Sequence, residues 1–550
     1  MQNTAIHQER IATVLYHVQC FVVVTAAAVL GSVPAGAVAG ELRFVAIEVH
    51  SIRIGLPRID AEVALVGGRP SATEKSEREL HFRGRAHGQE ITIARFGSDG
   101  HDRLFDRFEL LGPNGDVVGH GRYVTDLREL SAAGVSKQWP SSIKGVQDIA
   151  DFDDAANLGV AHTTLNVPIT GMLRDTGDMA GLADEWKITV DGNTYGMDAD
   201  MVRRLDSQVR AATDRGINVI AIILCLKRQR GRVAANLLHP AADLDGSPSG
   251  VIAANTETAA GERLYRAALA FLARRYSRPD QKYGHIGGYI IGNEVQSHWY
   301  WHNMGRQPAM EVIRQYAQQV RLSYYALRTE CRDPQLFISM DHHWTNQHGN
   351  DDAKAMPGRF FLDNFARIMR EEGDIPWQIA FHPYPENLFD PAFWEDRTAT
   401  YAYDTPRITF KNIEVLVDYL RRPQLCYSGS PRRLILSEQG FHSDNTPEGD
   451  ILQAAAYAAS FVRISAIEEI EAYILHRYLD HPAEGGLNLG LRKRSADGRV
   501  GDKRPIYDVF QAAGTERQPS AFQFALPIVG IENWTDMSPR PGPFSMHGPR

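Results

Sequence analysis

Cysteine is scarce, four in 550 residues, which excludes a small scaffold stapled by disulfides. Cys20 lies in an apolar leader, leaving Cys225, Cys331 and Cys426, and none of these has zinc-site spacing. Cys225 sits inside the apolar run INVIAIILCL and reads as a buried thiol. Cys331 and Cys426 stay open between one disulfide and two free thiols. Long hydrophobic runs are also missing: beyond the leader no segment approaches the roughly 20 apolar residues of a spanning helix. There is no basic excess either. The formal net charge is -8, which gives no electrostatic footprint for nucleic acid and predicts no strongly charged substrate.

What is present is ordinary globular composition, 43% hydrophobic and 23% charged. A single core stops growing at roughly 250–300 residues, so this length predicts one large domain and a smaller one. Residues 1–39 read as a signal peptide. Arg10 precedes the apolar run Cys20–Leu30, and Ala37, Val38 and Ala39 before Gly40 fit a small-residue cleavage site. This predicts a secreted or periplasmic protein with no membrane attachment after cleavage. The leader is long and Glu9 offsets Arg10, so an uncleaved N-terminal anchor is the alternative.

Residues 40–130 show short β runs broken by turn residues: Phe44–Ile54, Ala61–Val66, Glu79–Gly84, Glu90–Phe96, and a hairpin over Phe105–Val124 turning at Gly112-Pro113-Asn114-Gly115. That pattern predicts a small all-β, sandwich-like domain. It reads as a structural unit packed on the catalytic one, with a carbohydrate-binding accessory module as the alternative.

Over residues 135–515 the period changes. Amphipathic stretches such as Asp200–Arg215, Glu262–Tyr276, Ala309–Arg328 and Asp450–Ile467 alternate with short apolar runs. Eight such runs are found: Ile143–Val146, Thr163–Val167, Ile217–Leu226, Ile286–Ile291, Leu336–Met340, Trp377–Phe381, Leu434–Leu436 and Ala472–Leu475. Eight strands alternating with helices predict an α/β fold, a (β/α)₈ TIM barrel; an open doubly wound sheet is the rival. Polar residues gather just past the strands, as a barrel's site requires: Asn293-Glu294, Asp341-His342-His343-Trp344, His382-Pro383-Tyr384, Glu438-Gln439 and His476-Arg477-Tyr478. Residues 516–550 form a Pro- and Gly-rich tail.

Hydrolysing an acetal needs a proton for the leaving oxygen and a carboxylate to meet the oxocarbenium-like centre. Glu294 after strand four and Glu438 after strand seven are far apart in sequence, and a closed barrel sets those two strand ends across one mouth. Asn-Glu after strand four with Glu after strand seven resembles the clan A (4/7 superfamily) retaining glycoside hydrolases. The resemblance implies Glu294 as acid/base, Glu438 as nucleophile and Asn293 as a ligand of the sugar 2-hydroxyl. The HPYP stretch resembles that clan's strand-six end, where a Tyr or His contacts the nucleophile, which makes His382 and Tyr384 site residues. The strand-eight end departs from the clan, with His476, Arg477 and Tyr478 where a tryptophan is typical. Asn166 and Pro168 follow strand two where part of the clan has an arginine. These departures bear on subfamily and substrate more than on mechanism.

The expected function is therefore retaining hydrolysis of β-glycosidic bonds in a poly- or oligosaccharide by double displacement, with no cofactor. The same intermediate also permits transglycosylation. Two carboxyls this close cannot both ionise readily, so charge on Glu438 is expected to keep Glu294 protonated. Trp299, Trp301, His343, Trp344 and His476 complete the expected substrate contacts, and insertions over Lys227–Gly261 and Phe381–Thr409 are expected to shape the cleft. Two alternatives belong to other classes. One is a metal-dependent hydrolase built on Asp341, His342 and His343 with His382 and His476. The other is a noncatalytic carbohydrate-binding barrel.

Overall fold

The computed structural model describes residues 40–71, 78–174, 179, 181–227 and 232–547; the leader expected over residues 1–39 lies outside them. No helix among the described residues is long and apolar enough to cross a membrane.

The N-terminal region forms two antiparallel sheets. Phe44–Ile47, Ser51–Gly55 and Glu90–Ala94 make a three-stranded sheet, and Glu79–His87, Arg58–Gly68, Arg107–Leu111 and Val117–Arg122 make a four-stranded one, each in that spatial order. The run expected as one strand over Phe44–Ile54 is a hairpin, with Ile47 opposite Ile52. Its turn contains no Gly or Pro. It closes through Glu48 N–H to Ser51 C=O (2.8 Å) and the Ser51 hydroxyl to the Glu48 carboxylate (2.5 Å). Val45, Ile47, Ile52, Ile54, Leu65, Phe108 and Leu110 are buried and form this region's core.

All eight expected barrel strands are present: Lys144–Val146, His162–Pro168, Asn218–Leu226, Ile286–Ile291, Leu336–Asp341, Trp377–His382, Leu434–Gln439 and Ile470–Leu475. Below they are barrel strands one to eight. Each pairs in parallel with the next, and strand eight returns to strand one through Tyr473 opposite Lys144, closing the barrel. The runs are nearly uninterrupted in apolar residues because both faces are covered. Ile220, Ile222, Leu224, Ile290, Phe337, Ala380, Ile435, Ala472 and Ile474 form a separate interior cluster. Trp139 packs against it, its ring 5.7 Å from Phe337 and its Nε1 donating to Gly287 C=O at 3.2 Å. With the interior filled, chemistry is confined to the open strand ends.

The helices begin where the sequence places caps. Asp198, Thr258 and Thr446 accept backbone N–H groups at the starts of Ala199–Thr213, Ala259–Tyr276 and Pro447–Ser465. Outside the eight expected runs lies a hairpin of Lys187–Val190 and Asn193–Gly196. Its turn is Asp191-Gly192, both with positive φ (48° and 72°), as a two-residue hairpin turn demands. Asp191 is also the hub between the two regions. Its buried carboxylate takes two hydrogen bonds from Arg266 (2.8 and 3.0 Å) and contacts Arg69 (3.4 Å) and His101 (3.3 Å). The seam continues through Arg328, which donates to Leu127 and Leu130 C=O at 3.0 and 2.8 Å. The tail straps onto barrel helices: Arg463 donates to Met537 C=O (3.0 Å), Arg540 N–H to Glu414 (2.8 Å) and Phe544 N–H to Asp418 (3.1 Å). Cys225, Cys331 and Cys426 are free thiols.

Arg266 is almost sealed, its side chain 2% exposed, with Asp191 and Glu262 as ion partners and the Phe105 ring 3.5 Å beneath its guanidinium. Arg266→Ala takes from buried Glu262 its ion partner and from buried Asp191 its two shortest hydrogen bonds. Loss of about 3–5 kcal/mol of stability is expected, read as a lower urea midpoint; an unchanged midpoint would show that the cluster does not hold the two regions together.

Candidate active site

Barrel strand four is buried throughout and ends in a sharp change of direction. Gly292 has φ 74°, and a side chain there would meet the His302 ring at 2.5 Å, so only glycine fits. Asn293 follows, then Glu294 in the left-handed region (φ 42°, ψ 55°). That conformation costs a non-glycine residue free energy and persists only where surroundings impose it. Here Glu294 N–H donates to Ser339 Oγ of strand five at 2.9 Å. The next turn is tied down through Asp341 at the end of strand five: Gln296 Nε2 donates to its carbonyl (3.0 Å) and Ser297 Oγ to its carboxylate (2.5 Å). The glutamate is thus aimed by the backbone.

His382, the last residue of strand six, lies between the two glutamate-bearing strands. Its Nδ1 is 2.8 Å from Glu294 Oε1 and its Nε2 3.1 Å from Ser437 Oγ, next to Glu438. Tyr384 donates its hydroxyl to Glu438 Oε1 at 3.4 Å. A carboxylate oxygen of Glu294, one of Glu438 and a ring nitrogen of His382 all lie within 4.8 Å of one another. The HPYP stretch thus divides its contacts: Tyr384 meets the Glu438 carboxylate, while His382 bonds Glu294.

Burial raises the Glu294 pKa above the ordinary carboxylate range. The charges of Asp341 and Glu438 add to the rise, and the His382 hydrogen bond works against it. Burial, not Glu438, is therefore the leading cause. For His382 burial acts downward, but the bond to Glu294 and the charges of Glu438, Glu294 and Asp341 outweigh it, and its pKa is raised. Asp341 stays ionised: burial opposes its charge, yet His343 and His342 beside it and the Ser297 bond hold its carboxyl well below the usual range. Burial pushes Tyr384 far up, reinforced by the Glu438 and Glu294 charges, so it keeps its proton.

The other expected residues fall into distinct places. Asn293 is half-buried at the mouth, and its side chain makes no hydrogen bond among the described residues. Trp301 is half-buried on the short helix His298–Trp301. Trp299 on the same helix is only 8% exposed, bonded through Nε1 to Asp243 (3.0 Å) and covered by Lys354 Nζ 3.7 Å from its ring. Trp344 is a core residue and not a substrate contact. It is 0% exposed, bonded to Tyr403 C=O at 2.9 Å and packed edge-on to Tyr419 at 5.0 Å. His343 lies against His348 (5.5 Å), whose ring also meets Tyr300 at 4.1 Å. His476 bridges Gln147 (2.6 Å) and Glu484 (3.3 Å), and Glu484 also pairs with Arg477. Sequence reasoning missed Ser339, Ser437, Gln147 and Glu484. The two serines were signalled as polar breaks within apolar strand runs, whereas Glu484 lies deep in a loop with no local signal.

Metal-type ligands converge once among the described residues, at Glu294, His382 and Glu438. The set expected from Asp341, His342 and His343 does not converge. His343 Nδ1 is spent on the Asp341 carboxylate (2.8 Å) and His342 Nδ1 on Tyr384 C=O (2.9 Å). Since Trp344 fills core volume, Trp344→Ala is expected to lower stability by about 3–5 kcal/mol, measured by chemical denaturation. A folded variant of wild-type stability that had lost only substrate affinity would return Trp344 to the substrate surface.

No curated protein matches the chain in sequence. Among solved structures it is similar to a family 39 glycoside hydrolase from Bacteroides cellulosilyticus WH2, with 14% identity, a TM-score of 0.41, and 86% of this chain and 81% of that one covered. It is similar as well to a β-glucosidase from Pyrococcus furiosus, with 13% identity, a TM-score of 0.43 and coverage of 68% and 86%. A third is a β-glucuronidase from Bacteroides uniformis, with 11% identity, a TM-score of 0.38 and coverage of 86% and 49%. Residues 136–537 match a family described as a family of unknown function, DUF5722, and the chain belongs to that family.

Proposed function

We propose that the chain is an exported retaining glycoside hydrolase that cleaves β-glycosidic bonds of a poly- or oligosaccharide, with Glu294 as acid/base and Glu438 as nucleophile. One observation carries this reading: carboxylate oxygens from the ends of strands four and seven lie within 4.8 Å. Double displacement works with carboxyls roughly 5–5.5 Å apart, whereas inversion needs roughly 6.5–9.5 Å to admit a water.

In the first step a Glu438 oxygen bonds to the anomeric carbon as the bond to the leaving oxygen breaks. Glu294, kept protonated by burial, gives its proton to that oxygen. Esterifying Glu438 removes one of the charges that hold the Glu294 pKa up, so Glu294 becomes the better base. It then takes a proton from water as the water attacks the anomeric carbon and frees Glu438. Tyr384 steadies the nucleophile before attack, and Asn293, whose side chain makes no hydrogen bond among the described residues, bonds a sugar hydroxyl. Glu294→Ala is expected to lower turnover about 10²–10⁴-fold on substrates with poor leaving groups, and much less on activated aryl glycosides. Glu438→Ala is expected to be inactive, with azide restoring turnover and giving the inverted glycosyl azide. Hydrolysis near the wild-type rate by either variant would discard the assignment of this pair, and cleavage of no glycan by the wild type would discard the reading in favour of a binding barrel.

The alkaline limb of kcat/KM should report loss of the Glu294 proton, above the ordinary carboxylate range. His382 bonds the ionised form, so His382→Phe is expected to move that limb to higher pH and lower kcat. A limb that stays in place while kcat falls would reduce His382 to packing. The convergence of Glu294, His382 and Glu438 also favours a second reading, a metal ion held by these three side chains. Stoichiometric metal in the purified protein, with activity lost to chelator and returned by that metal, would replace the two-carboxylate mechanism.

A further inference from the structure

The loop after barrel strand six starts at His382 and Tyr384 and rises to an apolar tip, Leu388 and Phe389, 38% and 54% exposed. Its base is well fixed. Glu386 N–H donates to Asp396 (3.2 Å), Phe389 N–H to Asn387 Oδ1 (3.1 Å) and Ala392 N–H to Asp390 (3.1 Å). Phe393 beneath is fully buried against Phe410 and Phe441 at 5.5 and 6.1 Å. The tip leans toward the nucleophile side of the mouth. The Phe389 ring meets His442 edge-on at 5.1 Å, and His442 is four residues past Glu438. Across from it lies the loop after strand eight, where a side chain built at Gly486 would be 3.9 Å from the ring.

Three loops of the catalytic face therefore meet at one aromatic ring, held by an edge and half open to water. Exposing such a ring is costly unless something covers it. The neighbour His442 is polar, its Nδ1 accepting from Asn488 N–H at 3.1 Å, and Glu484 stands two residues before Gly486 in the facing loop. An apolar face with a hydrogen-bonding group beside it matches a pyranose, which has C–H bonds on its faces and hydroxyls around its rim.

We propose that Phe389 is the stacking platform of a second sugar subsite, so that the protein binds at least one sugar unit beyond the one joined to Glu438 during the reaction. This rests on the glycosidase reading above. The test compares wild type, Phe389→Ala and Phe389→Trp on aryl β-monoglycosides and on gluco-, xylo-, manno- and galacto-configured β-linked oligosaccharides of two to six units. For Phe389→Ala, kcat/KM on the longest cleaved oligosaccharide is expected to fall about tenfold, mostly through KM. Its rate on the aryl monoglycoside and its Tm should stay as in wild type, and Phe389→Trp should keep the oligosaccharide activity. Equal loss on both substrate classes, no loss on oligosaccharides, or wild-type cleavage of aryl monoglycosides alone would overturn the subsite and leave the catalytic pair standing. Cleavage of neither class by wild type would overturn the glycosidase reading and the subsite with it.

Discussion

Two carboxylates held within 4.8 Å at the rim of a filled barrel are the constraint around which this structure is arranged. Were both ionised, their repulsion would cost roughly 3 kcal/mol at an effective dielectric near 20. Burial and the charge of Asp341 raise the Glu294 pKa, while Glu438 receives a hydrogen bond from Tyr384. His382 touches Glu294 and the residue beside Glu438, so a shift of its ring alters both sides of the pair. The two side chains are chemically identical, so the difference in their surroundings comes from packing at the strand ends.

Holding that geometry requires a scaffold that does not relax. Glu294 is kept in a left-handed conformation by Gly292, by Ser339 and by a turn pinned to Asp341. The strain is local and small beside the interior cluster and the helical layer that close the barrel. The N-terminal sheets act on the same frame from outside. The N-terminal region meets Ala259–Tyr276 through the Phe105 ring beneath Arg266, and Ala309–Arg328 through the Leu127 and Leu130 carbonyls that Arg328 holds. These two helices flank strand four in the chain, one before it and one after.

The barrel was legible from the sequence because its strands are covered on both faces, so burial writes itself as continuous apolar runs with polar ends. Glu294, Glu438, His382 and Tyr384 were legible for a related reason: a polar residue that ends an apolar strand run marks the edge of the covered layer, and these four come together at the mouth. Directions beyond the strand end were not legible. Trp344 and Trp299 follow strands five and four much as Trp301 does, yet loop packing turns Trp344 into the core and caps Trp299 with Lys354. The Glu48–Ser51 turn was missed because side-chain hydrogen bonds do the work of Gly or Pro. Asp191-Gly192 carried a readable hairpin signal, but its ionic partners Arg69, His101 and Arg266 are remote in sequence and needed the fold to find them.

The strand-eight end shows why the rim matters. Where the resembled clan has a tryptophan, this chain has His476, bridging Gln147 and Glu484, followed by Arg477, paired to Asp148 at 2.5 Å and to Glu484. Tyr478 turns away to bond Asp154 at 2.6 Å. That part of the mouth is therefore a charged network of paired side chains. A sugar ring presents both kinds of surface, and binding only its hydroxyls leaves its C–H faces in water. On the proposed reading, apolar contact then comes from another loop. Glu484 lies two residues from Gly486, which faces Phe389, so the polar network and the exposed ring belong to adjoining parts of one surface.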